Sequence, residues 1–191
     1  MSATFFNNAL KSAFNANIKG DVSKVTDIDS LFRGASAFNA DISDWDTSKV
    51  TRTYGAFGPA AAFNQPIGDW DVSKVFYTQD MLNTAVAFNQ PIGAWDVAKA
   101  ADMRWMFINA VAFNQDIGDW GVSKNGNMNS MFKNASAFSQ DIDAWDASQV
   151  SDMGDAFVDS GLQSCPDWAK FIYNAGGPRL EINLSAILRR S

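Results

Sequence analysis

The chain of 191 residues has no histidine and only one cysteine, and Glu181 is the only glutamate among its 21 acidic residues. The lack of histidine removes the most common general base and metal ligand. A single cysteine, Cys165, excludes an intrachain disulfide and a zinc site of the CxxC type. Since Asp suits turns and caps while Glu suits helix surfaces, the near absence of Glu argues against long exposed helices.

The sequence also lacks long apolar runs and an excess of positive charge. No run approaches the ~18–20 apolar residues that span a bilayer. The first residues do not combine a basic segment with an apolar one, so we predict neither a membrane span nor a signal peptide. The net charge of −6 disfavours a nucleic-acid partner. With 47% hydrophobic residues, the composition is that of a folded globular chain.

What the sequence does contain is an internal repeat. A Phe followed by Asn or Ser recurs at intervals of 24, 25, 25, 25 and 25 residues, at Phe14, Phe38, Phe63, Phe88, Phe113 and Phe138. An Ile lies four residues after each Phe, and a Trp lies three residues after each of the last five Ile residues: Trp45, Trp70, Trp95, Trp120 and Trp145. A unit of this length cannot bury its own apolar face, so we expect the units to stack with equivalent side chains over one another.

Each unit combines two hydrophobic periods. Alternation over residues 113–117 predicts a short strand, and the Asp-x-Ser that follows, as in 71–73, predicts a turn. The spacing i, i+3, i+4, i+7 then predicts about two turns of helix, with one face formed by Met103, Met106, Phe107 and Ala110. The Asn after the Phe is expected to form a polar ladder that pairs backbone amides, at Asn15, Asn39, Asn64, Asn89 and Asn114.

Units such as 37–50, Ala-Phe-Asn-Ala-Asp-Ile-Ser-Asp-Trp-Asp-Thr-Ser-Lys-Val, resemble the BspA-type leucine-rich repeats, which occur in surface proteins of bacteria and mycoplasmas and are also common in algae. The similarity covers roughly residues 14–160. It implies a right-handed, leucine-rich-repeat-like α/β solenoid of about six coils, with short parallel strands on one face and short helices on the other. It also implies no catalytic activity, and a role in surface display, adhesion or protein binding. The standard strand leucines are replaced here by Phe, Gln and Ile.

We predict three segments: an N-terminal cap over 1–13, the repeat solenoid over 14–160 and a C-terminal cap over 161–191. The last coil of a solenoid needs a covering element, and residues 168–175 have the spacing of an amphipathic helix. Alternatively, the C-terminal segment is a tail that binds a partner. Peripheral membrane association through this tail is a further option, although Arg189-Arg190 is too little charge for firm anchoring.

Asp residues recur at fixed positions in the units, and this pattern is compatible with catalysis, with turn or cap formation, or with calcium binding. A catalytic pair is normally singular, so recurrence favours turn and cap roles. Stacked acids also resemble calcium ligands between coils, but a lysine column is expected to neutralise them: Lys24, Lys49, Lys74, Lys99 and Lys124. We therefore predict no catalytic residue, no metal and no cofactor, with a calcium-dependent surface adhesion module as the alternative hypothesis.

The positions that break the repeat predict a binding surface. On the outward side of the predicted helical segment, coils one and five are polar, whereas the middle coils carry Tyr54, Phe76, Tyr77, Trp105 and Ile108. Clustered exposed aromatic residues usually mark a contact surface. We predict a non-catalytic scaffold that binds a protein partner through these residues, either alone or as an accessory subunit of a larger assembly. The family resemblance suggests the cell surface as its location.

Overall fold

A computed structural model describes residues 15, 18 and 20–169 of the chain. Its backbone repeats with the period of the sequence, so we number the repeats from 1 to 6, starting at residues 14, 38, 63, 88, 113 and 138. One residue in each repeat pairs in parallel with its equivalent in the next, and these residues are Asp27, Arg52, Tyr77, Asp102, Asn127 and Asp152. Sequence-equivalent residues therefore lie next to one another along the stack.

Regular secondary structure is sparse in the described residues. Parallel pairing is limited to the single positions 27, 52, 77, 102, 127 and 152, and the described part of a helix covers 167–169. The pairing lies after the Asp turn, whereas the sequence predicts a strand at 113–117. The difference has a physical cause, because the amide of Asn114 bonds to the side-chain oxygen of Asn89 (2.9 Å) rather than to a backbone carbonyl. A side-chain ladder thus takes the place of a β-ladder there.

Turns replace the short helices that the spacing predicts. In repeat 3 the amide of Met81 bonds within the repeat, to Thr78 (3.2 Å), whereas the amide of Leu82 bonds to Met106 of repeat 4 (3.0 Å). This alternation depends on left-handed residues such as Asp80 (φ 62°) and Thr84 (φ 57°), with equivalents at Ser30, Gly34, Gly55, Trp105, Asn109, Ser130, Asn134, Asp155 and Asp159. A left-handed residue interrupts a right-handed helix, and every second amide is left to join the next repeat.

The apolar face of this segment is buried as the spacing predicts. Met103, Met106, Phe107 and Ala110 are all inaccessible to solvent. The same i, i+3, i+4, i+7 spacing is therefore satisfied by a series of turns as well as by a helix. The sequence pattern identifies which side chains lie inside, and the left-handed positions decide the backbone conformation.

Equivalent aromatic rings of successive repeats stack inside the molecule, which confirms the prediction made for them, and the phenylalanine stack is continuous from Phe38 to Phe138. The rings of Phe63 and Phe88 are 5.8 Å apart and nearly parallel, and those of Trp120 and Trp145 are 6.5 Å apart. Trp45 is half-buried, and the other four columnar tryptophans are buried. Each indole N–H donates to an Ile carbonyl of the preceding repeat, at 3.0–3.1 Å for Trp70, Trp95, Trp120 and Trp145.

The asparagine ladder is confirmed as well. Asn64 Oδ1 accepts the backbone amide of Asn89 (2.9 Å) and the side-chain amide of Gln90 (3.1 Å). The amide bond recurs from Asn39 to Asn15, from Asn64 to Asn39, from Asn114 to Asn89 and from Ser139 to Asn114. Each asparagine thus supplies an acceptor to the following repeat.

The predicted N-terminal cap, 1–13, lies outside the described residues, as do residues 170–191 of the predicted C-terminal cap. In the described part of the latter, Trp168 stacks on Trp145 (6.1 Å) and donates to the carbonyl of Ile142 (2.8 Å), which extends the tryptophan column by one ring. Among the described residues, no helix has the length and apolar character that crossing a membrane requires.

Candidate functional site

The parallel pairing and the turns that follow it carry exposed aromatic residues in repeats 2–4. Four of the five residues predicted for the binding surface are exposed: Tyr54 (37%), Phe76 (45%), Tyr77 (45%) and Trp105 (38%). Ile108 is half-buried. We call the four exposed residues the aromatic face.

Two rings of the aromatic face border one groove. Tyr54 and Tyr77 line it together with Arg52 and Gln79. Polar contacts extend this groove towards Trp105: Gln79 Nε2 donates to Asp102 Oδ2 (2.9 Å), and the same oxygen pairs with Arg104, the residue before Trp105. Phe76 precedes Tyr77 in the chain.

Three arginines accompany three of the rings, and the sequence prediction missed them. The guanidinium carbon of Arg33 is 5.8 Å from the ring centroid of Tyr54. The corresponding distance is 5.5 Å both for Arg52 over Tyr77 and for Arg104 over Trp105. These are cation–π distances. A signal was available, because Arg52 and Tyr77 occupy the same repeat position as Asp27 and Asp102, so this column changes charge from repeat to repeat.

Each arginine is also held by a carboxylate. Arg33 Nη1 lies 3.1 Å from Asp80 Oδ2, and Arg104 Nη2 lies 2.8 Å from Asp102 Oδ2. Arg52 donates from Nε (2.8 Å) and Nη2 (2.6 Å) to Asp29 Oδ2. The hydrogen bond to Asp29, with that carboxylate's charge, raises the pKa of Arg52 above its ordinary value. The three cations are therefore fixed in place beside the rings.

Gly55 gives Arg33 the space to reach Asp80. Its φ is 58°, and a Cβ at this position would lie 2.5 Å from Arg33 Nη1. Glycine adopts a left-handed conformation at no steric cost. The ion pair spans from repeat 1 to repeat 3 because repeat 2 has no side chain at this point.

A chain of polar side chains continues from Asp80 towards repeat 5. Asn83 donates to Asp80 (2.7 Å) and accepts from the hydroxyl of Thr84 (2.6 Å). Asn109 donates to Thr84 (3.3 Å), and Asn134 donates to Asn109 (2.7 Å). Since these bonds cross three successive repeats, they couple the outward segment of repeat 3 to its neighbours.

The backbone of the aromatic face is itself constrained. Trp105 has a φ of 61°, a region in which bulky residues are rare. Its amide donates to the carbonyl of Asn129 in repeat 5 (3.0 Å). The surrounding hydrogen bonds therefore hold the backbone of Trp105 in a conformation that an isolated chain disfavours.

The recurrent Asp residues form turns. Asp71 Oδ1 accepts the amide of Ser73 (2.9 Å), and the hydroxyl and amide of Ser73 lower the pKa of Asp71. The equivalent serine, by its hydroxyl and then its amide, lowers the pKa of Asp21, Asp46 and Asp146. At Asp41 the amide of Ser43 has the larger effect in lowering the pKa and the hydroxyl the smaller. Each of these carboxylates therefore accepts hydrogen bonds from the serine two residues later in its own turn.

The lysine column makes no close ion pair with these turns in the described part of the chain, where the ion pairs are made by Arg33, Arg52, Arg104 and Lys133. Lys74 donates instead to the carbonyl of Ser48 (2.7 Å). The lysine charges still act on the turns: the pKa of Asp46 is lowered first by Ser48 and then, to a smaller extent, by Lys49 and Lys74. Among residues 15, 18 and 20–169, no group of three acidic or cysteine side chains is arranged to hold a metal ion.

A comparison with known proteins identifies the family of the chain. The family model described as "Mycoplasma protein of unknown function, DUF285" matches residues 1–110 and again residues 68–168. No curated protein and no solved structure matches the chain. The two matches overlap over 68–110, as tandem units of one kind would produce. Since they cover most of the sequence, the chain belongs to this Mycoplasma family of repeat-containing proteins.

Proposed function

We propose that the protein is a non-catalytic solenoid of the BspA-type leucine-rich-repeat kind, and that it binds a protein partner through the aromatic face. One observation carries the proposal: large aromatic rings are exposed in repeats 2–4 at positions where repeats 1, 5 and 6 have polar side chains or glycine. The columnar Phe residues from Phe38 to Phe138 are, by contrast, fully buried. The exposed rings serve no role in the internal stacks.

The chemistry of the aromatic face supports a binding role. Tyr, Trp and Arg dominate the energetic centres of protein interfaces, and here each of Tyr54, Tyr77 and Trp105 lies under an arginine. Ordering a mobile side chain on binding costs about 0.5–1.5 kcal/mol. Because ion pairs and polar chains already fix these groups, much of that cost is met in the free protein.

The repeat period and the internal stacks support the solenoid part of the proposal. In a solenoid most contacts join neighbouring repeats, which leaves an extended outer surface for binding. Such a surface suits a protein displayed at the cell surface. It also suits an accessory subunit of a larger assembly.

The test is recovery of native partners by the full chain used as bait. The double variant Tyr77→Ser plus Trp105→Ser removes two rings, and Lys99→Ser plus Lys124→Ser is the matched control in the exposed lysine column. We expect a specific partner to be recovered by the wild type and the control, and to fall about tenfold or more with the aromatic variant. Equal recovery by all three proteins would remove the aromatic face as the binding surface.

A further inference from the structure

The most exposed charged groups beside the aromatic face are guanidinium groups, although four carboxylates pair with them: Asp27, Asp29, Asp80 and Asp102. The side chains of Arg33, Arg52 and Arg104 are 41%, 50% and 40% exposed. Their carboxylate partners lie deeper, with Asp80 at 6%, Asp29 at 17% and Asp102 at 15% exposure. An approaching molecule therefore meets guanidinium groups first, although the chain carries a net charge of −6.

We infer that the aromatic face binds an extended acidic peptide segment of the partner protein. This inference rests on the proposed function and names the chemistry of its ligand. Positive groups beside aromatic rings complement a peptide whose surface-facing side chains include both carboxylates and aromatic, proline or aliphatic groups. Every second side chain of an extended chain points to the same side, so these groups are expected two residues apart.

The guanidinium groups have donors left for such a ligand. Arg52 uses Nε and Nη2 on Asp29, and Arg104 uses Nη2 on Asp102. Within the described part of the chain, Arg52 Nη1 and Arg104 Nη1 make no hydrogen bond to protein. Arginine binds carboxylates through paired N–H groups. The unused N–H groups of each guanidinium can therefore donate to a ligand carboxylate while the others remain bonded to Asp29 or Asp102.

The dimensions also suit a short extended segment. The arginines and rings extend from repeat 1 to repeat 4, which is roughly 14 Å at ~4.8 Å between neighbouring parallel segments. An extended peptide advances ~3.3 Å per residue, so about four or five residues cover the surface. Repulsion from the more distant acids of the chain is screened beyond a Debye length of about 8–10 Å. The four carboxylates within the site already pair with the arginines, so the preference depends on the exposed guanidinium edges and not on net charge.

The experiment is a selection from a library of short random peptides against the folded full-length protein. We expect enrichment of peptides in which Asp or Glu lies two positions from an aromatic, proline or aliphatic residue. Selection against Arg52→Gln plus Arg104→Gln should lose the acidic preference. Lys99→Gln plus Lys124→Gln removes the same amount of positive charge elsewhere and should keep it. Circular dichroism and thermal melts confirm that each variant is folded.

Affinity measurements then distinguish binding that depends on the arginine charges from binding that depends on the aromatic rings alone. For an enriched acidic peptide carrying a fluorophore, anisotropy titration should give an affinity about tenfold weaker for the arginine variant, and weaker binding by the wild type at high salt. Enrichment of neutral or basic peptides that the variant Tyr77→Ser plus Trp105→Ser no longer binds would overturn this inference and leave the proposed function standing. No enrichment, or enrichment that the aromatic variant retains, would overturn both.

Discussion

The indole Nε1–H of Trp95 donates a hydrogen bond of 3.0 Å to the carbonyl oxygen of Ile67 in the preceding repeat. Both residues are buried, and the same carbonyl accepts the backbone amide of Trp70 (3.1 Å), so the indole is its second donor. The same bond recurs along the tryptophan column, and it joins each repeat to its predecessor through a side chain.

The substitution Trp95→Phe tests this bond. It keeps an aromatic ring but removes the donor, while the Ile67 carbonyl keeps the Trp70 amide as a partner, so the cost is that of one net hydrogen bond, about 0.5–1.5 kcal/mol. We expect the free energy of unfolding, measured by urea denaturation, to fall by that amount. Trp105→Phe is the matched control, because Trp105 is exposed, and it should change stability by less than about 0.5 kcal/mol. Equal effects at the two positions would contradict a special role for the indole bond.

A second prediction concerns the asparagine ladder. Asn64→Ala removes the acceptor of the Asn89 amide and of the Gln90 side chain. We expect a loss of about 1–2 kcal/mol in unfolding free energy, reduced where water reaches the amide. Asn64→Asp keeps an acceptor oxygen at the same place and should restore most of the stability at neutral pH. Hydrogen exchange of the Asn89 amide provides the local measurement, with faster exchange expected in Asn64→Ala only.

A third prediction tests the role of Gly55. Gly55→Ala places a methyl group at a left-handed residue and against Arg33 Nη1. We expect destabilisation of about 1–2 kcal/mol from the backbone alone, together with loss of the Arg33–Asp80 ion pair. Gly20→Ala is the control, because nothing lies within 4 Å of its added Cβ. A crystal structure of Gly55→Ala with the ion pair intact would refute the proposed spacing role.

The Asp turns predict a dependence of stability on pH. The pKa of Asp71 is lowered in the folded protein from 3.8, so the folded state holds fewer protons than the unfolded state just below that pH. This contribution is complete above the unfolded pKa and is lost as the pH falls below it through the lowered folded value. We expect Ser73→Ala to flatten the fall in stability on acidification from about pH 5, measured by urea unfolding across the acidic range.

The control for this effect lies in repeat 5. Gly121 stands there at the position of Asp71, so Ser123 has no turn carboxylate to bond. Ser123→Ala should leave the pH dependence unchanged. If both serine variants respond to acid in the same way, the turn hydrogen bonds are not its source.

The sequence was sufficient to predict the repeat period and the buried columns. The regular spacing of Phe, Ile and Trp requires stacking, because no single unit can bury them alone. The backbone conformation of the outward segment was less accessible. The spacing of Met103, Met106 and Phe107 suits a helix equally well, and only the left-handed residues of each repeat distinguish a series of turns. The left-handed conformation of Trp105 and Thr84 could not be predicted from the sequence, since Trp and Thr rarely adopt it.

For the candidate site, the exposed rings were predictable because they break a polar pattern. The arginines were predictable only in part. The change of charge at the position of Arg52 is visible in the sequence, whereas Arg33 pairs with Asp80, which lies 47 residues away in another repeat. Such a contact follows from the stacking order and from the absence of a side chain at Gly55. Neither the charge nor the spacing of Arg33 in the sequence reveals it.

One outward position has a consequence for how this architecture can change. Asp29, Tyr54, Arg104 and Asn129 occupy the same place in repeats 1, 2, 4 and 5, on one backbone path and above the same buried columns. Acidic, aromatic, amide and basic groups are thus interchangeable at this place without any rearrangement beneath them. The molecule separates what it displays from what holds it together, so new binding specificities can be engineered or evolve on this surface by exchange of single side chains.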